Sequence, residues 1–291
     1  MKPVAFVSLP LIWKNHNMTS FRRADNRAPD QIRPISFHFD VYGYADASIL
    51  YSQGNTKVLV GVTLQTNVPP FLKGQKTGWL SAEYAMLPTA TQQRTQRESS
   101  QSQRNARSVE ISRLIGRCLR TTVDLAALGE RSIFIDCDVL QADGGTRTAC
   151  ITAASIALEL AAQRWHAAGA TSVNIFKERI AAISVGVVQD TPLADLAYNE
   201  DSNAAADFNF VFTAQEGIIE IQGTSEKAPV RSDCFDQLKA YALAGTREIF
   251  KQLSQKNSPD GLSTPSPQRT TEKSNPFSLG NRLTKTLEAR Q

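Results

Sequence analysis

Histidine is scarce in this chain. His16, His38 and His166 are the only three among 291 residues, and no two of them have HExxH spacing. A histidine metal site, or a histidine base serving a nucleophile triad, therefore finds no support. Cysteine is nearly as sparse. Cys118, Cys137, Cys150 and Cys234 stand far apart with no CxxC pair, which argues against a metal–thiolate centre. Cys137 and Cys150 fall in apolar segments and read as small core residues of a protein kept in a reducing, cytoplasmic compartment. No apolar run reaches the ~20 residues that span a bilayer. The best candidate, Val4 to Trp13, is interrupted by Pro10, and no convincing small-residue cleavage site follows it. The lysine of a GxxxxGK[ST] loop is missing after the chain's diglycine, which excludes a nucleotide loop of that kind. There is no short-period repeat.

What is present is a soluble, globular composition with 21% charged residues, long enough to bury a substantial core. The formal net charge of +4 is unevenly spread. Residues 1–27 and 256–291 are basic, and the body between them has 21 Lys and Arg against 24 Asp and Glu. Within that mildly acidic body, Arg94, Arg97, Arg104, Arg107, Arg113, Arg117 and Arg120 cluster, opposed only by Glu98 and Glu110. Such a stripe suits a defined polyanion track. It equally suits a salt-bridged, solvated helix face.

The most informative run is Ile133 to Ala149. Ile, Phe and Val mark a buried strand, Gly144-Gly145 breaks it, and a long apolar helical pattern runs from Thr148 to Trp165. Thr146 offers a side-chain oxygen of the helix-capping kind. Helix starts carry unpaired N–H groups and partial positive charge, glycine admits an anion close to the backbone, and Arg147 adds a forked cation. The pattern also fits an ordinary strand-to-helix connection with a solvated arginine.

Along the chain, strands are expected over Arg33–Phe39, Tyr44–Tyr51, Lys57–Thr66 and Trp79–Leu87. Thr89–Arg107 is almost without apolar residues and reads as an extended or mobile loop. Helical spacing then runs from Ser108 to near Gly129, with Arg107 at its start, where the helix dipole disfavours a cation unless an anion is near. Further strands are expected over Ile180–Gln189, Ala194–Tyr198, Asp207–Thr213 and Ile218–Gln222, the acidic turn Asn199–Ala206 lying between two of them, and a last helix over 232–254. Strands then a helix in each half imply an α+β body with helices packed on mixed sheets and a weak internal duplication. Asp201 and Asp207 lie six apart across the acidic turn. From spacing alone they read best as two solvent-facing turn aspartates, although two such carboxylates with a substrate phosphate also suit Mg2+.

The run Asp136–Ala149 resembles the signature of the ribonuclease PH family of phosphate-dependent 3′-to-5′ exoribonucleases. The resemblance extends through Phe71–Gln75, Gly78–Tyr84, Met86–Pro88, Glu110–Arg117, Asp195-Leu196, Glu200–Ser202, Asp207–Asn209 and Glu220–Thr224, in unbroken order over residues 22–253. It implies a duplicated β-α-β-α ribonuclease PH-type domain over 22–254. It implies Asp201 and Asp207 as catalytic, Mg2+-holding residues, and Arg107, Gly145, Thr146 and Arg147 as the binders of orthophosphate, the co-substrate. Arg94 and Arg97 match basic positions of the loop that grips RNA. One departure is Thr89, where the family commonly has a basic residue. The resemblance further implies tRNA precursors and other RNA 3′ ends as substrates, release of nucleoside diphosphates, and a homo-oligomeric ring of six. Because the resemblance begins at Arg22, translation is expected to start at Met18, leaving residues 1–17 a mis-assigned part of the 1–21 extension. Residues 255–291, rich in Ser, Pro and Thr, are expected to be a disordered basic tail.

Two other classes compete. A non-catalytic RNA-binding subunit of an exosome-like ring would have a damaged anion site or acidic pair, yet both are intact. A small-molecule kinase of related fold would need its own serine-rich phosphate loop and leaves the arginine loop unexplained.

Overall fold

Period-two alternation builds the first sheet. β1 (Ile35–Phe39), β2 (Ala47–Gln53) and β3 (Thr56–Gln65) form an antiparallel meander. β4 (Trp79–Met86) follows, then α1 (Ala106–Thr121) and α2 (Leu125–Leu128), then β5 (Ser132–Gln141). β5 inserts antiparallel to β3 and parallel to β4, so the order is β1-β2-β3-β5-β4 and the sheet is mixed. Val58, Val60 and Val62, with Leu80, Ile133, Ile135 and Val139, are buried on one face, as alternation requires. The computed structural model describes residues 22–100 and 105–256. The expectations for the 1–21 extension and its start at Met18, and for the tail beyond residue 256, lie outside the described residues.

The helical pattern from Ser108 to Gly129 is two helices, not one. Asn105 accepts a hydrogen bond from the Arg107 N–H, so α1 starts two residues earlier than its apolar periodicity shows. It stops at Thr121 because the chain is drawn to the segment 175–177: Asp124 N–H donates to Ile175 O, and Lys177 N–H to Thr122 O. Asp124 then caps α2 by accepting from the Ala126 and Ala127 N–H groups.

α3 (Thr146–Ala167) is the centre of the molecule's core. It packs on β2 and β3 of the first sheet and on β6 (Ile180–Val188) of the second. That placement between two sheets explains why it is apolar nearly all round: Ile151, Ile156, Leu158 and Ala154 are all buried. Each buried Ile or Leu contributes about 1.5–3 kcal/mol relative to exposure. The second sheet adds β7 (Thr191–Ala194), β8 (Ala206–Thr213) and β9 (Ile218–Ser225), after the helical turn α4 (Tyr198–Asp201), in the antiparallel order β7-β6-β8-β9. α5 (Ser232–Lys256) covers β6 and β7. The fold is α+β, two sheets with packed helices.

The strand expected over Ala194–Tyr198 is absent. β7 ends at Ala194 because Asp195 takes a left-handed backbone (φ 50°) that turns its carboxylate inward. Glu200 then accepts from the Ala197 N–H, which starts α4. Among the described residues, no helix is long and apolar enough to cross a membrane.

Candidate active site

The connection from β5 to α3 is a left-handed bend. Gly144 and Gly145 have φ of 76° and 64°, a conformation that costs a side-chain-bearing residue but not glycine. Gly144 has a second constraint. A Cβ there would lie 2.4 Å from Leu196 O and 2.9 Å from Tyr198 N, so the bend is pressed against the backbone leading into α4. Thr146 is not the cap that its hydroxyl suggests. Gly145 occupies the N-cap position with no side-chain bond, and Thr146 Oγ1 instead meets the Tyr84 hydroxyl at 3.0 Å. Burial pushes the Tyr84 phenol up, so it stays neutral and can share that bond. Among the described residues, the N–H groups of Gly144, Gly145, Thr146 and Arg147 have no protein acceptor. Four unpaired donors at the head of a 22-residue helix make an anion cradle.

A buried ionic network holds the acidic turn beside this cradle. Arg23 donates from Nε and Nη2 to the two carboxylate oxygens of Glu200, both at 2.7 Å, and from Nη2 to Asp195 O. Arg33 makes the matching pair with Asp195. Asp143 accepts the Tyr198 N–H and an Asn55 amide, tying the strand end to the start of α4. Removing one partner of such a buried pair leaves an uncompensated charge, typically about 3–5 kcal/mol.

Arg107, Gly145, Thr146, Arg147, Asp201 and Asp207 all line one cavity of about 680 Å³. Arg107 reaches it from the first turn of α1, and Asp207 from β8, where it pairs with Gly186 and Thr224. Arg147 is aimed by a triangle: its Nη1 donates to Gln222 Oε1 (2.9 Å), Gln222 donates to Glu110 (2.9 Å), and Glu110 lies 3.7 Å from Arg147. Asp201 keeps access to solvent, yet protein surrounds it on most sides. That partial withdrawal from water, and then Asp207, push its carboxyl above the ordinary aspartate range, against the pull of Arg107 and Arg147. Burial likewise pushes Asp207 up, with Glu226 adding and Arg147 opposing. Two carboxylates that are easier to keep when a cation is present suit a hard divalent ion completed by substrate oxygens. Among the described residues no group of three or more His, Cys, Asp and Glu is placed to hold a metal by itself.

Arg94 and Arg97 do not line this cavity. They are exposed on the loop whose Gln92, Gln93 and Thr95 form part of its wall. The arginine run of α1 is not one continuous track either. Arg117 is paired through both Nε and Nη2 with Glu220, and Arg120 stacks over Trp79 at 4.8 Å. A larger cavity of about 850 Å³ lies beside α1 and β4, where Glu83, Glu98, Asp136 and Asp138 line it together with Arg113, Arg117 and Arg120. It has the wrong balance for an anion. Residues the sequence did not mark for this site are Arg23, Arg33, Asp195, Glu200, Tyr84, Gln222 and Glu110. All but Arg33 fall in the runs that carry the resemblance, Arg23 in the stretch Arg22–Arg27 where it begins, and that was the available signal.

Cys137 and Cys150 are buried, at 2% and 0% exposure, and unpaired with other cysteines in disulfides. They pack the strand and helix on either side of the bend.

Two family models match the chain: the 3′ exoribonuclease family, domain 1, over residues 31–162, and the 3′ exoribonuclease family, domain 2, over residues 178–244. Among solved structures, the chain is similar to Rrp46 of rice (Oryza sativa), with TM-score 0.65, 19% identity, and coverage of 80% of this chain and 99% of that one. It is also similar to a chain of the Archaeoglobus fulgidus exosome with RNA bound to the active site, with TM-score 0.67, 21% identity, and coverage of 80% and 92%. An archaeal exosome core gives TM-score 0.65 at 21% identity, covering 80% and 91%. At these identities the likeness is one of fold. With both domains matched in order across most of its length, the chain belongs to the ribonuclease PH (3′ exoribonuclease) family.

Proposed function

We propose that this protein is a phosphate-dependent 3′-to-5′ exoribonuclease that trims RNA 3′ ends, tRNA precursors among them. The observation that carries the reading is one cavity lined by the diglycine bend with its unpaired N–H groups, by Arg107 and Arg147, and by Asp201 and Asp207. Orthophosphate fits the diglycine bend, where Thr146, Arg107 and Arg147 would complete its contacts. From there one of its oxygens attacks the phosphorus of the last phosphodiester. The bond from that phosphorus to the 3′ oxygen of the preceding nucleotide breaks. The products are a nucleoside 5′-diphosphate and an RNA one nucleotide shorter with a free 3′ hydroxyl. Because no water enters, the reverse reaction with diphosphates lengthens the RNA.

Asp201 and Asp207 would hold Mg2+, which when bound offsets charge on the scissile phosphate and on the departing oxygen. The raised hold of this pair on protons also suits one of them to pass a proton to that oxygen. Exposed Arg94 and Arg97 beside the cavity mouth would grip the RNA backbone, a contact that needs charge more than base readout. The fold's likeness to exosome chains supports assembly into a ring, with a homohexamer as our expectation; sizing of purified protein tests it.

A second reading, a non-catalytic RNA-binding subunit of an exosome-like ring, is favoured by the same likeness to exosome chains. One assay separates the two. RNA with a 3′ extension is incubated with the protein and Mg2+, with and without phosphate. Diphosphate release that requires phosphate supports phosphorolysis. Binding without shortening supports the second reading, and ATP turnover without RNA binding would refute both.

A further inference from the structure

Unpaired N–H groups are useful only if they are aimed, and the residue that aims them comes from far away in sequence. Arg33 is 4% exposed. Its guanidinium donates through Nη1 to Asp143 O and through Nη2 to Gly144 O, the second carbonyl also accepting from Thr56 Oγ1 at 2.7 Å. A trans peptide places its N–H opposite its C=O. Drawing these two carbonyls toward Arg33 therefore sends the N–H groups of Gly144 and Gly145 the other way.

The same guanidinium holds the acidic side. Nε and Nη2 reach the two oxygens of Asp195 at 3.0 and 2.7 Å, across 162 positions of sequence, and the Arg33 N–H adds a third bond at 2.6 Å. Burial by itself would raise the Asp195 carboxyl, but Arg33 together with Arg27 outweighs it and holds the group below the ordinary range, so the pair stays ionised. Asp195 heads the short segment that presses on Gly144 and ends at Asp201. Room for the Arg33 chain is left at the β2–β3 turn: a Cβ on Gly54 would lie 2.5 Å from Arg33 Cδ.

We propose that Arg33 is a positioning residue of this site: one guanidinium aims the diglycine N–H groups at bound orthophosphate and sets that cradle in register with the turn carrying Asp201. A planar fork with several donors is needed to serve two carbonyls and a carboxylate at once, and lysine offers one point charge instead. The inference rests on the phosphorolytic reading for the identity of the anion.

The test compares wild type with Arg33→Lys. Orthophosphate affinity is measured by calorimetry, phosphate KM and kcat by diphosphate release from 3′-extended RNA, and RNA affinity separately, with circular dichroism reporting the fold. We expect orthophosphate affinity to fall about tenfold or more, phosphate KM to rise in parallel, and RNA affinity to hold. A folded Arg33→Lys protein with wild-type phosphate affinity and KM overturns the proposal. If that variant does not fold, Arg33→Gln combined with Asp195→Asn removes both buried charges together, and the same result and the same refutation apply to it. Wild type that binds orthophosphate yet releases no diphosphate overturns phosphorolysis alone, and calorimetry still decides the role of Arg33. Wild type that binds no orthophosphate overturns both.

Discussion

Gly144→Ala is the sharpest perturbation of this site, because two independent costs meet at one atom. The residue has φ 76°, and the left-handed region costs a residue with a Cβ about 1–2 kcal/mol. The added methyl would also sit 2.4 Å from Leu196 O, 2.8 Å from Ala197 C and 2.9 Å from Tyr198 N. All three are backbone atoms, so no side chain can swing aside, and overpacking of this kind costs about 1–3 kcal/mol more. A stiffer unfolded chain returns about 0.4–1 kcal/mol. The net loss is about 1–4.6 kcal/mol, or roughly 2–18 °C in thermal midpoint for a domain of this size. Gly145→Ala is the internal control. Its φ is 64°, and its Cβ would meet Arg33 Nη2 and Thr148 Oγ1 at 3.2 Å, so the backbone clash is absent and the cost is the strain of about 1–2 kcal/mol plus a displacement of a few tenths of an ångström in those side chains. The functional difference should be larger. Relief of the Gly144 clash moves residues 196–198, and with them Asp201, and a displacement of about 1 Å in a reacting group costs roughly a hundredfold in rate. Thermal denaturation and kcat for diphosphate release, measured on both variants, check the reasoning. Equal melting and equal kcat for the two alanine variants would refute it.

Arg147→Ala removes a cation already aimed by Gln222 and Glu110. Loss of a charge-assisted contact of about 1.5–3 kcal/mol predicts a phosphate KM raised about 10- to 150-fold, read from the phosphate dependence of diphosphate release. Asp207→Asn should abolish trimming yet stabilise the metal-free protein at neutral pH. Because burial, with Glu226, raises the folded-state carboxyl above its unfolded value, the folded chain holds a proton that the unfolded chain loses. Stability therefore falls as pH rises from the ordinary aspartate range through the raised value. Melting curves in chelator from acid to neutral pH should show the variant ahead only at the upper end; a variant that melts below wild type at neutral pH contradicts the assignment. Arg94→Ala and Arg97→Ala should each make the dependence of log RNA affinity on log salt shallower by about 0.7, with phosphate KM unchanged. A salt titration with single-stranded RNA tests this, and an unchanged slope removes these residues from the RNA path.

Local pattern determined much of this protein. Alternating Val, Ile and Leu marked most strands, since burial of one sheet face leaves that signature in consecutive residues. The diglycine followed by Thr146 and Arg147 marked the strand-to-helix bend, because only a short list of residues tolerates that backbone. The all-round apolar pattern of α3 announced a helix covered on several sides before either sheet was known. Elsewhere the pattern misled where distant contacts outvoted it. Val123 and Asp124 continue a helical spacing, yet pairing with residues 175–177 ends α1 at Thr121. Leu196 extends the apolar run after β7, yet the inward turn of Asp195 stops the strand. Thr146 carries a capping side chain, yet Tyr84 from another strand claims its hydroxyl. What only the tertiary structure decided is the assembly of the site. Arg33, Gly144 and Asp195 are drawn from three separate stretches, and a guanidinium buried between them can be satisfied only when all three are in place. The chain order holds no trace of such a meeting, because hydrogen-bond geometry is set by distance in space and not by distance in sequence.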